Sequence, residues 1–428
     1  MDNFCGRCAR VISVTGQNAG VTVVARPTRW IWALAVVVAL IRPVMLINHF
    51  VVENPPTRWL VDLEVYRNAG ISNLIGRPVY DALTPPPQLL PFTYPPIASI
   101  FAILLALIPF TLAGWLWTLA QFAVLAVLVW WLFREPAQRC GRWWPLALAG
   151  IWTAVCCLQP VGDGIKFGQV DIFLMALVLL DLGGRTGRIP RGVLIGLATS
   201  IKLTPGIFIV HLVVTRQWRA AATAAGSAAG FTLVSWVLLP SASFAFWGGA
   251  LQDPDRLGLN DGTSNQSLRG MLLRAHWDST VLWLVLVLIV MVIGLGIARR
   301  AHHKGWLWHE AAAVGLVGVL ISPVSWIHHF VWVIVVLAAL LQVRKLLVAA
   351  IVWALFTMPL PWWGQWRLEQ GLDFPASSSG NPGWQLLNDS YGLIAVLLLG
   401  VLAWSLPAVR RRVATPDSPQ EAPSAVSR

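Results

Sequence analysis

The sequence predicts an all-α, polytopic integral membrane protein, and three observations carry that expectation. Hydrophobic residues make up 57% of the 428 and charged residues only 12%, with a mean hydropathy of +0.67. Apolar runs of about 20 residues, the length a helix needs to cross a hydrocarbon core, recur from Trp30 to the C-terminal arginines. A soluble core could hide one or two such runs, not this many. The basic residues behind the net charge of +12 fall in short clusters between the runs: Arg134/Arg139/Arg142, Arg185/Arg188/Arg191, Arg216/Arg219, Arg299/Arg300/Lys304, Arg344/Lys345 and Arg410/Arg411/Arg412. Cytoplasmic loops obeying the positive-inside rule carry charge in this way, so the basic balance gives no support to nucleic-acid binding.

Taken in order, residues 1–29 are a mostly polar lead, expected to be a cytoplasmic tail and too long before the first apolar run for a typical cleavable signal. Cys5 and Cys8 form a C-x-x-C with no strand–helix pattern after it, which leaves a redox or metal role unsupported. Apolar segments follow at 30–50, 94–133, 143–158, 170–182, 192–215, 220–239, 281–298, 311–321, 327–341, 346–360 and 391–406. Cys156 and Cys157 close one of these runs as small core residues. Long polar stretches at 51–93, 240–280 and 361–390 read as external loops of one transmembrane domain over 30–408. Residues 409–428, rich in Ser, Pro, Ala and charge, read as a disordered cytoplasmic tail. Both tails on one side require an even number of spans. Residues 94–133 hold either two spans or an interfacial helix and one span; residues 192–215 hold one span or a hairpin broken near Pro205. The combinations that satisfy parity give about 12 spans, and the positive-inside rule favours the hairpin at 192–215. Tryptophans at segment ends (Trp30, Trp143, Trp144, Trp362, Trp363) fit an interfacial aromatic belt better than a sugar-stacking platform.

Four polar constellations stand out. "RWLVDLEVYRNAG" puts Asp62 and Glu64 in the first external loop, either as solvated carboxylates or as a general base at the membrane surface; the alternation there fits helix and extended chain equally. "ISPVSWIHHFVW" opens a span with His328 and His329, where a helix N-terminus favours an anion; packing is the equal alternative, and a metal would need convergent partners. "DGTSNQSLRGMLLRAHW" supplies the amides Asn265 and Gln266 together with Arg269 and Arg274, the planar fork of arginine suiting phosphate. "GDGIKFGQVD" holds Asp163, Lys166 and Gln169 between two spans. It is not a P-loop, yet charge there and at Lys202 implies a cavity, because charge facing lipid is costly. Arg42, Asp181 and His211 can snorkel, pair or mark helix ends. An apolar body with polar groups gathered on its external loops suits a substrate that is part lipid, part phosphate and part polar headgroup. A transporter would concentrate such groups near the midplane, often within inverted repeats.

The stretches "VDLEVYRNAG", "GRPVYD", "FTYPPIASIFAILLALIP", "FGQVDIFLMALVLLD", "GVLIGLATSIKLTPGIFIVHLV" and "SPVSWIHHFVW", in this order over about residues 58–333, resemble the polyprenyl-phosphate-mannose-dependent mannosyltransferases of glycosyltransferase family 87. The resemblance is greatest to the mycobacterial α-(1→2)-mannosyltransferases of phosphatidylinositol mannoside and lipomannan synthesis. It implies a GT-C membrane fold at the plasma membrane with an outward-facing site and an inverting transfer of mannose. Asp62 would be the base, and His328 or His329 would lie near the donor phosphate. On chemical grounds Arg269 and Lys166 are expected beside that phosphate, with Glu64, Tyr66, Tyr94, Gln169, Asn265 and Gln266 lining the substrate groove. The expected partners are the lipid-linked mannose donor, a mannosylated lipid acceptor and membrane lipids, with neither cofactor nor metal. An arabinofuranosyltransferase and a lipid-linked-sugar flippase are the rival readings.

Overall fold

The computed structural model describes residues 27–52, 60–253, 256, 258–370 and 382–408. Cys5, Cys8 and the tail from 409 lie outside the described residues, as do Arg58, Trp59 and the middle of the third polar stretch. Within the described residues, regular structure is helical, and extended segments meet only as two isolated bridges, Leu83 with Pro91 and Asn265 with Trp326.

Among the described residues four helices are long and apolar enough to cross a membrane. These are α1 (Arg29–Ile47), running on as a π-helical turn over Asn48–Val52, α5 (Phe110–Gln138), α11 (Trp218–Leu238) and α14 (Thr280–His303). Three bent pairs raise the number to seven if each is one span. They are α6 (Trp144–Cys156) with α7 (Gln159–Phe167), bent by 68°, α17 (Leu346–Thr357) with α18 (Leu360–Gln370), bent by 44°, and α19 (Pro382–Asn388) with α20 (Ser390–Ser405), bent by 74°. The chain is a helical protein with four to seven candidate spans by length and composition, where apolar runs had suggested about twelve.

The lower number reflects apolar helices of 10–17 residues that fall short of a crossing length, while two runs break as the favoured reading expected. Residues 94–133 form α3 (Pro96–Phe101) and α4 (Ile103–Ala106), too short to cross, and then the single 29-residue α5. Residues 192–215 form α9 (Val193–Ile201) and α10 (Ile207–Val214). Between them Lys202 is extended (φ −144°, ψ 131°) and Thr204–Gly206 is a 3₁₀ turn, because Pro205 cannot continue the helical hydrogen bonding.

The centre of the fold is α15 (Leu307–Ile321) with α16 (Val333–Gln342). Apart from His309, Glu310 and Gln342 their residues are apolar on every side and almost all buried, as expected of helices enclosed by other helices. Around them, α9 packs closely with both α8 (Asp171–Leu182) and α11. The α9–α11 contact depends on small residues: a Cβ on Gly196 would lie 2.5 Å from the Ala224 carbonyl oxygen and 2.6 Å from Ser227 Cβ. Such residues let helix backbones approach where hydrocarbon tails give no hydrophobic drive. Asp181 at the end of α8 starts α9, accepting from the backbone N–H groups of Gly192, Leu194 and Ile195 at 2.7, 3.0 and 3.1 Å. This assigns a buried carboxylate to otherwise orphaned helix donors.

A second apolar cluster, including Leu60, Leu63, Tyr66, Tyr80, Phe92 and Phe246, fixes α2 (Val61–Leu74) against the end of the bundle. α2 begins on a strained residue. Leu60 is fully buried with φ 54°, uncommon for a side chain of this size, and its N–H donates to the Lys166 carbonyl at 3.0 Å. α7 ends there on Gly168 at φ +72°, where a Cβ would fall 2.9 Å from Leu63 Cβ. The "FGQVD" turn therefore needs its glycine twice, for conformation and for space.

Candidate active site

Asp62 and Tyr66 are one helical turn apart on α2, so their side chains share a face. Helix thus settles the ambiguity between helix and extended chain. Gln169, brought round by the Gly168 turn, joins them. Its Nε2 donates to Asp62 Oδ2 at 2.6 Å, while its Oε1 accepts from Tyr66 Oη at 2.9 Å and from Tyr94 Oη at 3.2 Å. The two phenol oxygens are 3.0 Å apart. A phenol must donate to the amide oxygen, which directs the amide NH₂ toward the carboxylate. Behind Gln169, buried Gln121 donates to the backbone carbonyls of Gly164 and Gln169 at 3.1 and 2.9 Å. Burial pushes the Asp62 carboxyl up to about 6; the Gln169 bond and the Lys202 charge oppose that rise, and the Asp171 charge adds to it. Glu64, two residues on, points about 200° away around the helix, and its carboxyl is raised by burial against the opposing charge of Arg67.

A cluster of Lys202, Asp171 and two histidines adjoins this carboxylate, and burial holds both imidazoles well below their usual value, in the neutral form. Lys202 Nζ donates to Asp171 Oδ1 at 2.7 Å and lies 2.9 Å from His329 Nε2 and 5.5 Å from the centre of the Tyr94 ring. His328 Nε2 and His329 Nε2 are 3.9 and 4.0 Å from Asp171 Oδ2. Their rings meet edge to face at 4.7 Å, and Phe167 packs against His328 at 6.0 Å. Both histidines sit in a 3₁₀ segment, Ile327–Trp332, rather than in the first turn of the α-helix that follows. The positive charge beside them therefore comes from the Lys202 ammonium, not from an α-helix N-terminus. Asp171 Oδ2 and His328 Nε2 are buried without a hydrogen-bond partner. Buried polar atoms are rarely left unpaired, so these two are poised to meet something else. One ligand atom each from Asp171, His328 and His329 lie within 4.8 Å of one another, a spacing able to hold a small divalent ion. Lys202 already lies against two of the three and would have to withdraw for all three to ligate.

Tyr94 touches both clusters, so Asp62, Tyr66, Tyr94, Gln169, His328 and His329 form one constellation. The other expected site residues lie elsewhere. Asn265, fully buried, accepts on its Oδ1 from Ser325 N at 2.9 Å and Ser267 N at 3.3 Å. Gln266 donates to the Thr263 and Asn388 carbonyls, both at 2.7 Å, and accepts from Gly392 N at 3.1 Å. Both amides are struts under the turn that carries the histidines, where substrate contact was expected. Arg269 pairs with Asp278 at 2.6 Å and lies over the Trp283 ring, and Arg274 pairs with Asp389 at 2.6 Å. The Lys166 ammonium lies over Phe167 at 5.0 Å and lines a different cavity, with Arg42, His49 and Asp163. Arg269 and Lys166 thus have other partners than the histidine cluster in which they were expected. The reading from sequence missed Asp171 and the pairing of Lys202. The available signals were an acid directly after "FGQV" and a lysine at a Thr-Pro-Gly break in an apolar run.

Comparison with known proteins agrees with this chemistry. The sequence profile of glycosyltransferase family 87 matches residues 92–323. The chain is 32% identical over 296 residues, 65% of itself and 69% of the relative, to a polyprenol-phosphate-mannose-dependent alpha-(1-2)-phosphatidylinositol mannoside mannosyltransferase of Mycobacterium tuberculosis. It is 32% identical over 313 residues, 67% of itself and 71% of the relative, to the protein of the same description from Mycolicibacterium smegmatis. A polyprenol-phosphate-mannose-dependent alpha-(1-2)-phosphatidylinositol pentamannoside mannosyltransferase of M. smegmatis is 32% identical over 298 residues, 66% of this chain and 69% of that one. No solved structure matches. A family profile that spans more than half of the sequence, with relatives of this similarity and coverage, makes the chain a member of glycosyltransferase family 87.

Proposed function

We propose that the protein is an inverting α-(1→2)-mannosyltransferase that moves mannose from polyprenyl-phosphate-mannose to a mannose hydroxyl of a phosphatidylinositol mannoside. The observation that carries this reading is the pairing of a raised carboxylate, Asp62, with a lysine–histidine cluster through the shared Tyr94. The acceptor hydroxyl attacks the anomeric carbon of the donor, and Asp62 takes the hydroxyl proton. The carbon–oxygen bond to phosphate breaks, and its electron pair leaves on the phosphate. Attack opposite the leaving group converts a β-linked donor into an α-linked product. One carboxylate suffices because the phosphodiester-to-monoester leaving group is a stable anion that needs no proton. Lys202, His328 and His329 hold that anion, the ammonium being shared between it and Asp171. Donors fixed where negative charge develops are a large source of rate acceleration.

The architecture we assign is GT-C, with about twelve passes over residues 30–408 at the plasma membrane, the short helices completing passes in stacked pairs, and the site on the outer face. The positions of the basic residues support that orientation. Arg139 donates to the Leu341 and Gln342 carbonyls at the far end of α16, and Arg299 and Arg300 lie in the last turns of α14. His328 and His329 precede the opposite end of α16. Purified protein given polyprenyl-phosphate-mannose and a phosphatidylinositol tetramannoside should form an α-(1→2)-linked product. Asp62→Asn should abolish it while donor still binds; near-normal turnover by that variant refutes the assignment.

A further inference from the structure

We propose that the cavity between α1 and α7 is an anion site that holds the phosphodiester of the acceptor lipid at a distance from the reacting sugar. The proposal rests on the mannosyl-transfer reading for the identity of its ligand. The cavity has a volume of about 590 Å³, and its polar lining comprises Arg42, Asn48, His49, Gln159, Asp163 and Lys166.

Arg42 is the first reason. It lies inside the apolar α1, five residues before the last residue of that helix, or about 8 Å from its end at 1.5 Å per residue. A cation in such a segment is costly and marks a ligand or ion path by default. Its Nε donates to the Cys156 carbonyl at 3.4 Å, one of the orphaned carbonyls closing α6. This bond uses one of five guanidinium donors, and Arg42 lines the cavity. Lys166 and Asp163 face the same space from α7, where their three-residue spacing puts them on one side of the helix.

Charge and shape narrow the ligand. Arg42 and Lys166, against the single carboxylate of Asp163, leave one excess positive charge. A phosphodiester neutralises one charge, whereas a phosphomonoester would bring up to two. The planar fork of arginine suits phosphate oxygens, and Asp163 with the Asn48 and Gln159 amides suits a ring of hydroxyls. The apolar side of the ligand is provided for as well. Met45 lines the cavity and is 52% exposed, and Val36, Val37, Leu40, Ile41 and Val44 are exposed along the same helix. A headgroup in the cavity can therefore keep its acyl chains against α1.

The donor phosphate is a poorer occupant. It leaves in the reaction and must adjoin the anomeric carbon, beside Lys202 and the histidines. α7 is the wall between the two compartments. Phe167 packs on His328 on one side, Lys166 lines the cavity on the other, and the Lys166 carbonyl holds the residue from which the Asp62 helix starts. The unreacting phosphodiester of the acceptor belongs on the far side of that wall.

Two variants, Arg42→Gln and Lys166→Gln, test this. A hydrogen bond to a charged group accounts for a factor of about ten or more in binding. Each variant should raise the KM for the phosphatidylinositol mannoside by about tenfold, with kcat and the donor KM unchanged. An alkyl α-mannoside, which lacks the phosphodiester, should be mannosylated equally by variant and wild type. An unchanged acceptor KM, a shift in donor KM, or an equal loss with the alkyl mannoside overturns the proposal. A binding arm stands apart from catalysis: phosphatidylinositol in detergent should raise the Tm of the wild type and not that of Arg42→Gln. If that difference appears in a protein that transfers no mannose, the anion site stands and the mannosyl-transfer reading falls. If transfer occurs and phosphatidylinositol shifts both proteins equally, or neither, the site falls alone.

Discussion

Replacing Gln169 by leucine changes the proton affinity of Asp62 without touching the carboxylate. The Gln169 amide donates to Asp62 Oδ2 at 2.6 Å, a bond that favours the ionised form. A hydrogen bond to a charged group contributes about 1.5–3 kcal/mol, equivalent to about one to two pH units. Its loss acts in the same direction as the burial that already raises this carboxyl to about 6. The acid limb of kcat/KM, which reports groups of the free enzyme, should lie near pH 6 in the wild type and about one to two units higher in Gln169→Leu. At pH 7 about 90% of the wild-type carboxyl is ionised and roughly half to a tenth of the variant's, so the variant should be slower there by about two- to tenfold and recover near pH 9. The assay is initial-rate transfer from lipid-linked mannose at subsaturating donor between pH 5 and 9. A wild-type limb in the usual carboxylate range near 4 refutes the argument, as does a variant whose plateau drops while its limb stays put. Linkage adds a second readout. Because the folded-state value is raised, the contribution of this group to stability is complete below about pH 4 and is lost as pH climbs through 6, a cost of about 3 kcal/mol. Asp62→Asn should therefore melt above the wild type at pH 8, with the gap closing under acid conditions.

Lys202→Met removes the ammonium that contacts Asp171 and His329. It should lower kcat by about 10²–10³-fold in single-turnover measurements, with a smaller effect on donor KM; a normal kcat would show that the ammonium takes no part in leaving-group stabilisation. Asp181→Ala strips three backbone N–H groups at the start of α9 of their acceptor and should cost about 2–4 kcal/mol, read as a lower Tm in detergent. Gly196→Val forces a side chain toward the Ala224 carbonyl; about 1–3 kcal/mol of overpacking should appear as a reduced Tm, and an unaltered Tm would mean that α9 and α11 are not in close contact.

The sequence made the membrane class and the paired ends of the site legible, and it hid what joins them. Asp62 and Tyr66 are four residues apart, and helix alone puts them side by side, yet the alternation Asp62-Leu63-Glu64-Val65 also suits extended chain. His328 and His329 were visible as a motif. Their cation was not, because Lys202 is 127 residues away and reaches them through a break in helix that hydropathy averages out. Asn265 and Gln266 were read as substrate-binding groups because they sit beside Arg269 and Arg274 in an external loop. Both are wholly buried and spent on backbone, and burial within a loop leaves no periodic trace. The partner of Arg269 was hidden for a similar reason: Asp278 follows nine residues later, beyond any local pairing rule. The break near Pro205 and the single long helix in 94–133 were both legible, and the lower span number comes from apolar helices of 10–17 residues that are short of a crossing length.

The ring of groups around Asp62 has a consequence for the catalytic cycle. Among the described residues Asp62 accepts from the Gln169 amide, which accepts in turn from the Tyr66 and Tyr94 phenols; none of these is basic enough to relieve a carboxylic acid of hydrogen, and the nearby lysine is paired with Asp171. On the proposed mechanism a proton taken up by Asp62 can pass only to the departing phosphate, whose second ionisation falls near the same pH, or to water. Product that stays bound would then hold the acid protonated and occupy the groove together.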